Sequence, residues 1–301
     1  MSQSVPERIL QRLDWTVIRR LDGLLQGDYR TLFRGQGLDL ADLREYEFGD
    51  DVRTIDWNVT ARLDAPYVRE YLEEREVTAH FLLDLSPSVD FGTATALKSD
   101  RLIDFVGVLA RLLTRNGNRV GAILYGGRVE RTIPAARGRA QVLRLIDELR
   151  KRPRLREAPP TALAQLLEAG VRSIKRRSLV FLVSDFFSTP GWEIPLGILC
   201  RRHEVLAVRV VDPRERELPD IGLVVMTDAE TGEHVHIDTH DRKFRERFAQ
   251  VVRRREEGLA ATFRRAAVDV LVLSTEEDLV PSILRFAVER KRRRTQRAVA
   301  G

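Results

Sequence analysis

The chain has 301 residues, 43% of them hydrophobic and 32% charged, with 51 Lys and Arg against 45 Asp and Glu and a formal net charge of +6. That apolar share over that length builds one domain with a full core plus a smaller appendage, or two domains, and excludes a disordered chain; charges of both signs are interspersed, so the positive balance reads as solvated surface and no nucleic-acid partner is expected. Cys200 is the single cysteine, which excludes an intramolecular disulfide and any multi-thiolate metal site and points to a reducing, cytoplasmic setting.

The opening MSQSVPERILQRLDW has no apolar stretch of signal-peptide length, and apolar windows elsewhere are too short for a membrane span, so neither is expected. Residues 5–27 carry Leu10, Leu13, Val17, Ile18, Leu21, Leu24 and Leu25 at helical spacing, which predicts an amphipathic N-terminal helix. Residues 30–77 mix Gly35, Gly37, Gly49, Asp50 and Asp51 with aromatics and paired charges, and VREYLEEREV alternates like a strand. This predicts a small β-rich appendage and a first region over 1–77. Within it, Gly49-Asp50-Asp51-x-Arg53 and Asp56-Trp57 read as a turn with ion pairs and a packed indole.

From residue 78 strand and helix alternate. Strands are predicted at 78–85, 119–125, 178–184, 204–211 and 268–274, and helices at 95–115, 138–151, 161–175, 190–202, 241–265 and 276–293. Strands that are apolar throughout, separated by helices of this length, predict an α/β fold over 78–293: a mainly parallel sheet with helices on both faces, a Rossmann-type sandwich. Residues 213–240 interrupt the pattern with a predicted β-hairpin, turning at Glu230-Thr231-Gly232-Glu233. Residues 294–301 form a basic tail, expected to be partly disordered.

In such a sheet a ligand site lies beyond the carboxyl ends of the strands, where strand order reverses. One apolar run ends in Asp84-x-Ser86-x-Ser88, another ends in Asp185, and Thr161 follows Pro159-Pro160 at the predicted start of a helix. Asp84, Ser86 and Ser88 alone would read as a helix cap; with Thr161 and Asp185 they outline a divalent-metal site. Carboxylate and hydroxyl oxygens are hard donors suited to Mg²⁺, Mn²⁺ or Ca²⁺, and magnesium is the expected ion. Two carboxylates and three neutral hydroxyls leave a dication incompletely neutralised, so an acidic side chain of a partner can complete the coordination.

This set, in this order and these strand contexts, resembles the metal-ion-dependent adhesion site of von Willebrand factor A domains. Upstream, Gly35-x-Gly37, Arg44-x-Tyr46, Gly49-Asp50-Asp51-x-Arg53-x-Ile55-Asp56-Trp57 and Ala61-Arg62 resemble the signature of domain-of-unknown-function family 58. Members of that family carry a von Willebrand A-like domain and commonly accompany MoxR-type AAA+ ATPases. The resemblance covers nearly the whole chain. It implies a non-enzymatic, chaperone-like adaptor that works with a MoxR-type ATPase on a client protein. The hydrophobic N-terminal spans of many family members are lacking here, so their membrane setting is not carried over.

Other motifs carry less. His234-x-His236-x3-His240 places alternate residues of a hairpin strand on one solvent face rather than around zinc. Cys200 reads as a small core residue without an orienting partner, although His203 is close in sequence, and His80 sits about 13 Å back along its strand from Asp84. Basic runs at 175–177, 253–255 and 290–294 lack interleaved aromatics. No phosphate-binding loop is present, and Ser86 breaks an aspartyl-phosphate D-x-D pattern. The alternatives are a metal-dependent hydrolase and a nucleic-acid-binding protein.

Overall fold

Ser4 and Glu7 start the first helix reciprocally: the Ser4 hydroxyl accepts from the Glu7 amide at 3.4 Å, and the Glu7 carboxylate accepts from the Ser4 amide at 2.9 Å. The computed structural model describes residues 4–18, 21, 43–47, 50, 52, 55–63, 65–69, 77–93, 96–155 and 158–299. Helix α1 (Val5–Leu13) runs into a π-helical turn, Asp14–Ile18, and Leu21 is helical again; the rest of the helix expected over 5–27, Leu24 and Leu25 included, lies outside the described residues. Leu10, Leu13, Ile18 and Leu21 are buried, as their spacing required.

The chain divides into two compact units, Phe33–Glu76 and the remainder, so α1 belongs with the larger unit rather than with the appendage. In the smaller unit β1 (Leu43–Glu45) pairs antiparallel with β2 (Tyr67–Arg69), beside helix α2 (Trp57–Leu63). Two three-residue strands and a helix make this described part mixed rather than β-rich. The Asp56 carboxylate accepts from the Val59 amide at 3.3 Å at the start of α2. Trp57 is 70% exposed, which corrects the expected packed indole. Gly35, Gly37, Gly49, Asp51 and Arg53 lie outside the described residues.

The larger unit alternates as expected. Its strands are β3 (Thr78–Asp84), β4 (Arg119–Tyr125), β5 (Val129–Ala136), β6 (Leu179–Ser184), β7 (Glu204–Val211), β8 (Leu223–Thr227), β9 (His234–Asp238) and β10 (Asp269–Ser274). Its helices are α3 (Lys98–Arg115), α4 (Gly138–Lys151), α5 (Leu163–Ser173), α6 (Glu193–Arg202), α7 (Arg242–Arg265) and α8 (Leu279–Val299). Six strands form one sheet in the order β10-β7-β6-β3-β4-β5, parallel except for β5, while among the described residues β8 and β9 pair only with each other. β3 and β6 carry almost wholly buried apolar side chains, and Phe81 stacks on Phe181 with ring centroids 5.0 Å apart. Strand order reverses between these two strands, which sets the crevice for a ligand at their carboxyl ends.

Edge strand β5 escaped the apolar-run reading because Ile133 is its only fully buried apolar residue and Pro134 interrupts it, features suited to an edge. Its register with β4 shifts around Gly121, where an added Cβ would meet the Ile133 carbonyl oxygen at 2.8 Å and the Ala135 nitrogen at 2.9 Å. Gly121→Val should therefore destabilise the fold by about 1–3 kcal/mol by forcing the two strands apart. Urea denaturation read beside hydrogen exchange over 129–136 tests this, and an unchanged midpoint with intact protection contradicts it.

At the C-terminus α8 continues to Val299, so the basic tail is helical where described. Arg290 is buried, donating from Nε to Asp269 at 3.1 Å and pairing with Glu204, so this run is not wholly solvated.

Candidate metal centre

Asp84 closes β3, Ser86 and Ser88 lie in the turn that follows, and Asp185 comes directly after β6. Adjacent parallel strands in register, with Leu83 opposite Val183, bring the two acidic ends side by side. The Ser184 hydroxyl donates to Asp84 Oδ2 at 2.6 Å, and the Ser86 amide donates to Asp84 Oδ1 at 3.0 Å. The hydroxyl oxygens of Ser86 and Ser88 are 3.2 Å apart. These contacts join the first three residues and the end of β6 into one group, buried except at Ser88, which is half-buried.

Thr161 does not open a helix as expected: α5 starts at Leu163, and Thr161 stays in the preceding loop. Ties across the crevice fix that loop. The Ala162 amide donates to the Tyr125 hydroxyl at 2.9 Å, and the Thr189 amide and Ser188 hydroxyl donate to the Thr161 carbonyl at 2.9 and 3.0 Å. Ser88 and Thr161 then line a single cavity of about 520 Å³, together with Phe187, Glu215, Glu230 and Arg255.

After Asp185 the backbone turns through Phe186, whose φ of +61° is left-handed, a conformation that costs a non-glycine residue about 1–3 kcal/mol. It is held there by packing and hydrogen bonds. The Phe186 ring meets Phe263 edge-on at 5.0 Å, its amide donates to Ser184 Oγ at 2.8 Å, and the next amide, of Phe187, donates to Asp185 Oδ1 at 2.9 Å.

Electrostatics make the centre short of positive charge near Asp84. Burial, then the neighbouring Asp185, push the Asp84 carboxyl up to about 6. Lys98 supplies the nearest cation and is itself fully buried, with Nζ 2.7 Å from Asp185 Oδ2 and 2.5 Å from Glu215 Oε1. Burial alone would lower the Lys98 pKa, but Asp185 and Glu215 outweigh it and hold the ammonium above its ordinary value. Lys98 pairs with Asp185 and Glu215, Arg255 carries a second positive charge close to both, and hydroxyl oxygens stand beside the carboxylates. No cluster of three or more His, Cys, Asp or Glu among the described residues could hold a metal by itself, so a divalent cation at Asp84 would draw on carboxylate and hydroxyl oxygens together, hard donors that suit it.

Sequence reasoning missed Lys98, Ser184, Glu215, Glu230 and Arg255. Ser184 had a signal, since it precedes Asp185 at the same strand tip. Lys98 gave none, because a lysine at a helix start reads as solvent-facing. Arg255 reads as part of a basic run, yet its guanidinium carbon lies 3.1 Å from the centre of the Phe187 ring. The histidine reading stands corrected in one respect. His234 and His236 are exposed on β9, but His240 lies beyond that strand, 2.5 Å from Asp220, so the three do not share a stripe. His80 is held to about 4 by burial and then His203, so it is neutral near pH 7, and burial raises the Cys200 thiol to about 11. Among the described residues no helix is long and apolar enough to cross a membrane.

A doubly wound α/β sheet with an antiparallel edge, and with D-x-S-x-S, Thr and Asp oxygens at the reversal of strand order, defines a von Willebrand factor A-like protein. The chain belongs to the family described as Protein of unknown function DUF58, which matches residues 42–258. An uncharacterized protein of Mycobacterium tuberculosis is 36% identical over 283 residues, 94% of this chain and 89% of the relative. An uncharacterized protein of Mycobacterium avium is 38% identical over 160 residues, 53% of this chain and 94% of the relative. Among solved structures, the conserved hypothetical protein BatB from Bacteroides thetaiotaomicron is similar with a TM-score of 0.44 at 11% identity, covering 72% of this chain and 99% of that one. The SpRpn10 VWA domain is similar with a TM-score of 0.38 at 10% identity, over 69% of this chain and 93% of that domain.

Proposed function

We propose that this protein is a non-enzymatic, metal-dependent interaction module in which Asp84, Ser86, Ser88, Thr161 and Asp185 hold Mg²⁺, or Mn²⁺ or Ca²⁺ in its place. The observation that carries the reading is the placing of Asp84, Ser86, Ser88 and Asp185 at and just beyond the carboxyl ends of the adjacent strands β3 and β6, with Ser88 and Thr161, from the loop before α5, lining one cavity. A bound dication would supply a positive charge able to accept an acidic side chain from a partner. The chain's own groups orient and shield that position: Asp84 is buried among hydrogen-bond donors, and Phe91 and Phe187 give the cavity apolar walls.

The non-enzymatic part of the reading rests on commitments within the cavity. Glu215 pairs with Lys98, Glu230 accepts from Thr161, and neither histidine nor cysteine is among the residues that line it. A general base next to the ion is what hydrolysis would ask for. The resemblance to family 58 adds the partner: a MoxR-type AAA+ ATPase, with the chain acting in the cytoplasm as adaptor for a client protein.

The test is capture of partners from lysate by the tagged chain in Mg²⁺, beside chelator and beside Asp84→Ala. An AAA+ ATPase or client retained by wild type and lost in both controls is the expected result. Partners that remain unchanged in both controls sink metal-dependent recognition, and a phosphoesterase activity that follows Mg²⁺ would replace the adaptor with a hydrolase.

A further inference from the structure

The inserted hairpin reaches the centre through its turn. Among the described residues β8 and β9 pair only with each other, and Leu223 and Val225 on β8 are 73% and 55% exposed, so most of one hairpin face is unpacked. At the turn, Glu230 Oε1 accepts from the Thr161 hydroxyl at 2.6 Å and from the Thr161 amide at 3.1 Å, while the Glu230 carbonyl accepts from the Ala158 amide at 3.1 Å. The turn is itself preset. Asp228 Oδ1 accepts from the Glu230 and Thr231 amides at 2.8 and 2.9 Å, and Gly232, at φ +74°, returns the chain to β9.

Glu230 thus brings a carboxylate onto one of the five site oxygens without making an ion pair of its own among the described residues. Lys98 is committed to Asp185 and Glu215, and Arg255, on the same cavity, stacks on the Phe187 ring. A negative group placed 2.6 Å from a donor hydroxyl, with no cation of its own, is what a dication held by Thr161 and its companions would recruit. We propose that Glu230 is an internal acidic ligand of this centre: the hairpin supplies in cis the carboxylate that a partner would supply in trans, and a partner's acid must displace it.

This rests on the metal-binding reading above and adds regulation to it. A tethered acid acts at an effective concentration of about a millimolar or more, so weak external carboxylates compete poorly until the hairpin lifts. The exposed face of the hairpin lies away from the turn and is free to be gripped while Glu230 is seated.

Mn²⁺ and acetate are the probes. Paramagnetic broadening of the acetate methyl resonance by protein-bound Mn²⁺ reports whether an outside carboxylate reaches the ion. Wild type, Glu230→Gln, Glu233→Gln and Asp84→Ala are compared at equal Mn²⁺ loading wherever the ion binds. Glu233, in the same turn, is exposed and makes no contact with Thr161 that would explain a change. The expected result is that half-saturation by acetate falls about tenfold in Glu230→Gln and stays at the wild-type value in Glu233→Gln. Hydrogen exchange adds a second readout: Mn²⁺ should slow exchange of the Ala158 amide in wild type and not in Glu230→Gln. Equal acetate access in wild type and Glu230→Gln, with Mn²⁺ bound to both, overturns the internal ligand and leaves the metal site standing. Failure of wild type to bind Mn²⁺, or binding undiminished by Asp84→Ala, overturns the site and the internal ligand together.

Discussion

Lys98→Met should lower the thermal midpoint by on the order of 10 °C, following a loss of about 3–5 kcal/mol when one member of a buried ion pair is removed. The lysine is fully buried, and its ammonium lies between Asp185, which is 1% exposed, and Glu215, which is 17% exposed. It also opens α3, where the helix dipole disfavours a cation, so the two acids and not the helix hold it there. Methionine fills a similar volume but leaves Asp185 beside Asp84 without its paired ammonium. Adding Asp185→Asn to Lys98→Met should recover part of the loss, because deleting both charges spares the uncompensated carboxylate. Mg²⁺ should likewise raise the Lys98→Met midpoint more than the wild-type one, since the ion takes over the missing neutralisation. Differential scanning calorimetry of the three proteins, with and without Mg²⁺, decides the matter. A Lys98→Met midpoint within about 2 °C of wild type would show that the buried pair contributes little to stability.

The same pair shows why the fold and the centre were unequally legible. β3, β6 and β7 are buried on both faces, so their apolar runs announced themselves, and the acidic residues at the tips of β3 and β6 fell at the expected strand ends. β5 did not, because an edge strand with one buried apolar side chain looks like a loop. The five candidate oxygen ligands lie within or beside regular elements and share a recognisable order. Their supporting charges do not: Lys98 lies 87 residues from Asp185, and Glu230 lies 69 residues from Thr161. Nothing local in KSDRLIDF or DAETGEH distinguishes a buried lysine or a seated glutamate from a solvated one. That difference is created by sheet order, which brings the loop before α5 and the inserted hairpin to the same crevice.

Asp84 gives the centre a pH dependence whose sign is fixed by its environment. Its carboxyl rises from 3.8 to about 6 on folding, by burial first and Asp185 second, so the native state holds that proton more tightly than the unfolded chain. Without a divalent cation, this group's contribution favours folding below pH 4 and is lost as pH climbs towards 6, a change of about 3 kcal/mol at ~1.4 kcal/mol per pKa unit. Cation binding runs the other way, because the ion must displace the proton. Mn²⁺ affinity should be level above pH 7 and fall about tenfold for each unit below pH 6, with up to one proton released per ion bound. Asp84→Asn should weaken binding about a hundredfold at pH 7 and flatten its profile between pH 5 and 7. Isothermal titration in two buffers of different ionisation enthalpy measures affinity and proton release together. The thermal midpoint supplies a second scale: Mn²⁺ at a hundred times its Kd should stabilise wild type by about 2.7 kcal/mol at pH 7, with most of that gain gone at pH 5. An affinity that is constant from pH 5 to 7, or equal in wild type and Asp84→Asn, would remove Asp84 from the ligand set. The raised carboxyl would then be a buried acid of the core, holding its proton to higher pH than a free carboxyl and without a cation to serve.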